Sequence, residues 1–302
     1  MTVTAVQAGV EAPAVGPVVT EPGVYQMTAD EYHADPVPGG SLSSTGARKL
    51  LPPSCPALFR YEQDHGRAPK KTFDLGHAAH KLVLGDGPDI EVVEGARWDT
   101  TVAKSQVAEI RARGGIPLKQ HEYEQVQAMA DALRQHPVAS ALFDPARGGK
   151  PEQALFWRDP QTGVMCRALL DWLPPHIDGR RLIIPDYKTT NDASPEAVQK
   201  SVASYGYNQQ DAWYRMGVEA LGLGGRDTVF VFVFQEKTAP YLVTVVELDA
   251  VARRIGAAKN RVALHTYREC VETGRWPGYR DDIALLPLPA WAEKRDEEEY
   301  LG

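Results

Sequence analysis

Two apolar runs in this chain carry an acidic residue where a core side chain is expected. The first is Leu169-Leu170-Asp171-Trp172-Leu173. The second, after a short loop, is Leu182-Ile183-Ile184-Pro185-Asp186-Tyr187-Lys188-Thr189-Thr190. Both read as strands. Side chains alternate along a strand, so Asp186 and Lys188, two positions apart, point to the same face. A carboxylate inside such a run is costly to desolvate unless a cation, a metal or a hydrogen-bond donor meets it. Two of them converging beside one ammonium make a site for a divalent cation. The plainer alternative is a buried Asp–Lys ion pair that only joins adjacent strands.

The chemistry selects these residue types. A hard cation such as Mg²⁺ prefers oxygen ligands and keeps several of its waters. Bound beside a phosphodiester it polarises the phosphate, activates a water and stabilises the leaving oxygen. A nearby lysine can position the attacking water and offset the charge that builds on phosphorus.

Further residues sharpen the reading. Phe73-Asp74-Leu75-Gly76-His77-Ala78-Ala79-His80-Lys81-Leu82-Val83-Leu84-Gly85 has its apolar residues at helical spacing. Tyr207-Asn208-Gln209-Gln210-Asp211-Ala212-Trp213-Tyr214 puts Gln210 and Tyr214 four apart, on one helix face. The order G-x-x-x-H, strand aspartate, D-x-K, Q-x-x-x-Y resembles that of RecB-type nucleases of the PD-(D/E)xK superfamily. Within it, the chain looks most like the RecE-like (exonuclease VIII) group of phage and prophage exonucleases. The segment Leu42-Ser43-Ser44-Thr45-Gly46-Ala47-Arg48-Lys49-Leu50-Leu51, followed by Ser54-Cys55-Pro56-Ala57, is similar to that group's N-terminal signature.

The resemblance covers roughly residues 23 to 275. It implies a restriction-endonuclease-like α/β fold, a mixed β-sheet core flanked by helices with an N-terminal helical region. It also implies His80 as a metal ligand, Asp171 and Asp186 as metal carboxylates, Lys188 as the catalytic lysine and the Tyr187 carbonyl as a further ligand. Gln210 and Tyr214 would line the DNA-facing side. His80, rather than His77, is in register with G-x-x-x-H. Glu152, placed just before the strand Gln153-Ala154-Leu155-Phe156-Trp157, is a candidate extra carboxylate; an exposed glutamate at a strand start is the bland reading.

The activity so implied is a Mg²⁺- or Mn²⁺-dependent exodeoxyribonuclease acting on the 5′ strand of linear duplex DNA. It would leave 3′ overhangs for a RecT-like single-strand annealing protein, and would work as a homo-oligomer, by resemblance a tetrameric ring, in the cytoplasm of a bacterial host. Two rivals stay open: a structure-specific or single-strand endonuclease with the same site, and a non-catalytic DNA-binding subunit with the same fold.

Composition sets bounds. With 302 residues and 43% hydrophobic content the chain can bury one substantial core. No run of eighteen apolar residues occurs, so no transmembrane helix is expected. Cys55, Cys166 and Cys270 are too few and too far apart for a zinc or iron–sulfur pattern, and no cluster is expected. The net charge of −7 argues against a broad basic DNA-binding face. Basic residues do gather locally, at Arg67, Lys70 and Lys71, at Arg111 and Arg113, and at Arg253, Arg254, Lys259 and Arg261. A channel lined by some of them could hold DNA.

Along the chain, residues 1–22 read as a flexible leader, 23–290 as the nuclease domain and 291–302 as an acidic, solvated tail. The domain divides into a helical part over about 42–143 and a sheet core over about 152–275. A short helix follows the Thr28-x-x-Glu31 capping box. Helices are expected from Ser43 or Ser44 to before Pro52, from Ala57 to Asp64, and from Thr101 to Phe143 with a break at Gly114-Gly115-Ile116-Pro117. The sheet starts with a hairpin turning at Asp159–Gly163 and adds strands at 181–187, 228–235 and 241–248. Ser194-Pro195 opens a helix, a second helix carries Gln210, and a third closes the domain from Asp249 to about Val271.

Overall fold

The computed structural model describes residues 17–66, 74–95 and 97–302. Arg67, Lys70, Lys71 and Phe73, and residues 1–16 of the expected leader, lie outside the described residues.

The expected hairpin forms as β5 (Lys150–Arg158) and β6 (Met165–Leu173), paired antiparallel. Two N-terminal strands complete that sheet: β1 (Gly23–Gln26) pairs antiparallel with β5, and β2 (Leu42–Ser43) parallel with β6. The N-terminal region is therefore not purely helical. Just before β1, Val19 is buried, within the stretch expected to be a leader.

A second sheet has the order β7-β8-β9. β7 (Ile183–Thr190) runs parallel to β8 (Val229–Glu236), which pairs antiparallel with β9 (Val243–Glu247). β8, apolar on both faces from Val229 to Phe234, is central, as its two-sided pattern requires. The single mixed sheet read from the sequence is thus divided between β6 and β7, which lie side by side. Its physical reason is Asp171: the carboxylate of this β6 residue takes the Tyr187 amide at 2.6 Å, where a backbone carbonyl would close a ladder.

Helices cover both faces. On one lie α2 (Ser44–Lys49), α9 (Tyr207–Ala220) and α10 (Ala250–Thr273). They enclose the main core with Leu155, Trp157, Trp213, Phe230, Phe232 and Phe234. On the other, α4 (Asp74–Leu84) and α6 (Gln120–Gln135) pack with Met129, Leu133, Trp172, Tyr187 and Val233. Residues on β8 alternate between the two cores, Phe230, Phe232 and Phe234 to one and Val233 to the other.

Local signals place most helices. Thr28 caps α1 (Ala29–His33) through the expected box, and Ser43 accepts from the Gly46 amide to start α2. α3 (Pro56–His65) follows with proline in its first turn. The break after α5 (Thr101–Ala112) is itself a strand: β4 (Ile116–Leu118) pairs parallel with β3 (Ile90–Val92) and is buried at every position. A short helix α7 (Ala139–Leu142) precedes the hairpin, and Ser194 caps α8 (Pro195–Tyr205). The acidic end forms a helix, α11 (Ala290–Tyr300), with Ala292 its buried residue.

Candidate metal-dependent catalytic site

β7 sets the site. Ile184 belongs to the main core beneath α9, and Tyr187 to the opposite one. Asp186, of the same parity as Ile184, meets α9: the Gln210 side-chain amide donates to Asp186 Oδ1 at 2.7 Å. The other oxygen, Oδ2, faces the Lys188 ammonium in an ion pair. Asp186 is 1% exposed. Burial pushes its carboxyl up to about 6, against the pull of Lys188. Lys188 is held above its ordinary value: burial acts against the charge, and Asp186 and Asp171 outweigh it.

Gly206 makes this geometry possible. At φ +65° it ends α8 and turns the chain directly into α9. Tyr207 then lies with its ring centroid 5.6 Å from Lys188 Nζ, one turn before Gln210. The sequence motif does not single out Tyr207. Its signal was available, since it precedes Gln210 by three on the same helix. Tyr214 is half-buried and packs edge-on against Phe230 at 5.3 Å, and burial together with the charges of Asp186 and Asp171 holds its phenol well above the ordinary value.

α4 brings His80 across β6 and β7. Its Nε2 lies 3.4 Å from Asp171 Oδ2 and 3.3 Å from the Tyr187 carbonyl oxygen. Nδ1 lies 3.6 Å from Glu152 Oε1. Burial would lower the imidazole's affinity for a proton, yet the carboxylates of Asp171 and Glu152 win, and its pKa is raised to about 10. Asp171 is held below its usual range: burial opposes the charge, while His80, Lys188 and the Tyr187 amide favour it. Burial pushes Glu152 up, with His80 pulling the other way. His77, on the same helix, is exposed.

Glu152 lies inside β5 rather than before it, and is not an exposed strand-start residue. Three of the basic residues read as lining a DNA channel have acidic partners. Arg113 pairs with Glu91, Arg253 with Glu247 and Arg261 with Asp159. Cys55, Cys166 and Cys270 are free and buried in three different elements or their caps.

The donor set fits a hard divalent cation. Carboxylate and carbonyl oxygens predominate, and ligands held at about 2.1 Å around an octahedral ion lie about 3 Å from one another. His80 Nε2, Asp171 Oδ2 and the Tyr187 carbonyl oxygen already approach that spacing. Among the described residues, no three His, Cys, Asp or Glu side chains stand ready-made as a metal cluster. To serve as a ligand, His80 would have to present Nε2 without its proton.

Comparisons with known proteins bear on the fold and the family. No curated protein matches the chain. A candidate exonuclease from Eubacterium rectale has a similar structure over 89% of this chain and 98% of its own, at 13% identity and a TM-score of 0.55, a likeness of fold alone. A phage-related exonuclease from Haemophilus somnus 129PT aligns over 78% of this chain and 96% of its own at 13% identity, with a TM-score of 0.31 that carries no argument. Residues 43–288 match the family described as a PDDEXK-like domain of unknown function (DUF3799). With most of its length inside that match, and with the fold and carboxylate–lysine pair in place, the chain belongs to this PDDEXK-like family of the PD-(D/E)xK nuclease superfamily.

Proposed function

We propose that this protein is a divalent-cation-dependent exodeoxyribonuclease that degrades the 5′ strand of linear duplex DNA and leaves a 3′ overhang for a RecT-like annealing protein. The observation that carries the nuclease part is one juxtaposition. Asp171, His80 and the Tyr187 carbonyl face one another beside β7, and the residues flanking Tyr187 on that strand form the Asp186–Lys188 pair. The RecE-like motif order supports the exonuclease polarity, and the name of the Eubacterium rectale relative supports an exonuclease in general. The annealing partner, a tetrameric ring, a phage or prophage origin and a cytoplasmic setting rest on the motif resemblance. No helix among the described residues is long and apolar enough to cross a membrane.

Mg²⁺, with Mn²⁺ as substitute, would be held by Asp171, Asp186, His80 and the Tyr187 carbonyl. There it supplies a polarised phosphate oxygen and an activated water. The rest falls to the chain. Gln210 fixes one Asp186 oxygen, so the carboxylate cannot rotate away from the site. Lys188, anchored by Asp186 and flanked by the Tyr207 ring, holds an ammonium where charge develops on phosphorus. Asp171 ties β6 to β7 through the Tyr187 amide, which keeps the ligands in register.

Linear duplex labelled at the 5′ end in one reaction and the 3′ end in another, with Mg²⁺ and a closed circular control, tests the proposal. Early release of the 5′ label with the circle intact is expected. Cutting of the circle would instead indicate an endonuclease, and inert DNA with every cation a non-catalytic binder.

A further inference from the structure

Antiparallel pairing sets Pro151 opposite Trp172 and Gln153 opposite Leu170, so Glu152 lies across from Asp171. Directly opposed residues bring their side chains within contact range. Here the pair is two carboxylates, an unfavourable match that His80 resolves by standing between them. Glu152 has φ +48°, in the left-handed region that disfavours any side-chain-bearing residue. Of the described non-glycine residues with positive φ, Asp35, Glu152 and Tyr241, only Glu152 lies within a strand. A glycine would relieve the strain, and none is there. Strain of this kind marks residues whose side chain is needed where it is.

On these grounds, and resting on the metal-dependent reading above, we infer that Glu152 is a positioning residue for His80. Its carboxylate serves as the acceptor for Nδ1–H of the imidazole and so fixes both tautomer and ring plane, with Nε2 directed at Asp171 and the Tyr187 carbonyl. At 3.6 Å the present contact is an ion pair, longer than a hydrogen bond. The carboxylate has to close by only about 0.4 Å to accept from Nδ1–H. Carboxylates that orient a ligating histidine in this way typically change metal affinity by about 10- to 100-fold when removed.

The test uses Mn²⁺ titration by calorimetry and thermal melting on the full chain, comparing wild type with Glu152→Gln, Glu152→Ala, Glu152→Gly and His80→Ala. Glutamine can still accept from Nδ1–H, so Glu152→Gln should bind Mn²⁺ within about threefold of wild type. Glu152→Ala should bind at least about tenfold more weakly. Glu152→Gly should bind as weakly as the alanine variant while melting higher than it, because glycine adopts positive φ freely. Unchanged affinity in Glu152→Ala overturns the positioning role. Equal losses in the Gln and Ala variants overturn it too, in favour of direct ligation by the carboxylate. If His80→Ala binds Mn²⁺ as wild type does, the failure lies in the metal-site reading beneath, not in the role of Glu152.

Discussion

Lys188 and Asp186 form an ion pair on β7. Asp186 is buried, and with Lys188 gone only Gln210 would still meet its carboxylate. Lys188→Ala should therefore act twice. Cleavage falls by roughly 10²- to 10³-fold, the range for one lost stabiliser of transition-state charge, and the melting temperature drops because a buried charge loses its partner. Mn²⁺ binding should survive, since Asp171, His80 and the Tyr187 carbonyl are untouched. Calorimetry alongside a cleavage assay separates these effects. A variant that melts lower but cuts at the wild-type rate would return the pair to a structural role. Asp171, Asp186 and Lys188 were legible in the sequence because a charge inside an apolar strand contradicts its surroundings. The conformation of Glu152 was not, for a glutamate in a strand carries no mark of positive φ. Tyr214 fits the motif, and its ring also packs against the core residue Phe230.

At the scale of elements, the site depends on how α9 lies against β7 and α10. Gly256 on α10 touches α9 so closely that an added Cβ would stand 1.9 Å from the Asn208 carbonyl oxygen. Backbone cannot yield as a flexible side chain does. Gly256→Ala should cost about 1–3 kcal/mol and, by displacing the turn that carries Gln210, lower cleavage at matched folded protein. Melting curves check it, and an unchanged midpoint would contradict the packing. Asp211 on the same helix is buried beside Arg215, and burial pushes its carboxyl up to about 6, Arg215 opposing. A folded-state pKa above the unfolded one favours the fold below about pH 4, and that advantage disappears as pH rises through about 6. Relative to Asp211→Asn, wild type should lose stability across this window, by at most about 3 kcal/mol. Denaturant titrations at pH 4, 5 and 7 measure the slope; an identical slope in both proteins would contradict the shift. Helices and hairpin were readable from caps, turns and periodicity. β4 was not, because its three buried residues gain their order only from β3, and neither was the division at β6, which one side-chain hydrogen bond produces.

For the whole molecule, a net charge of −7 has to be reconciled with DNA as substrate. Arg113, Arg253 and Arg261 find acidic partners distant in sequence or across a turn, which no local charge pattern reveals. α11 adds acidity at little structural benefit. Residues 290–302 hold five acidic and two basic side chains, so their removal shifts the charge from −7 to −4. Ala292 is the one buried residue of that helix. A chain ending at Pro289 should melt with the full protein and bind duplex DNA more tightly at low salt, with the gain fading as salt screens the charge. Equal affinities at low salt would show that this helix lies outside the field the DNA meets.

In the proposed function Asp171 and Asp186 hold the cation on which DNA cleavage depends. The most direct test is Mg²⁺-dependent release of nucleotides from linear duplex by wild type, Asp171→Asn and Asp186→Asn at matched folded-protein concentration. Wild type should release nucleotides, and each variant should fall below about a tenth of that rate, a barrier increase of more than about 1.4 kcal/mol. Either amide variant working near the wild-type rate would contradict the assignment of that aspartate.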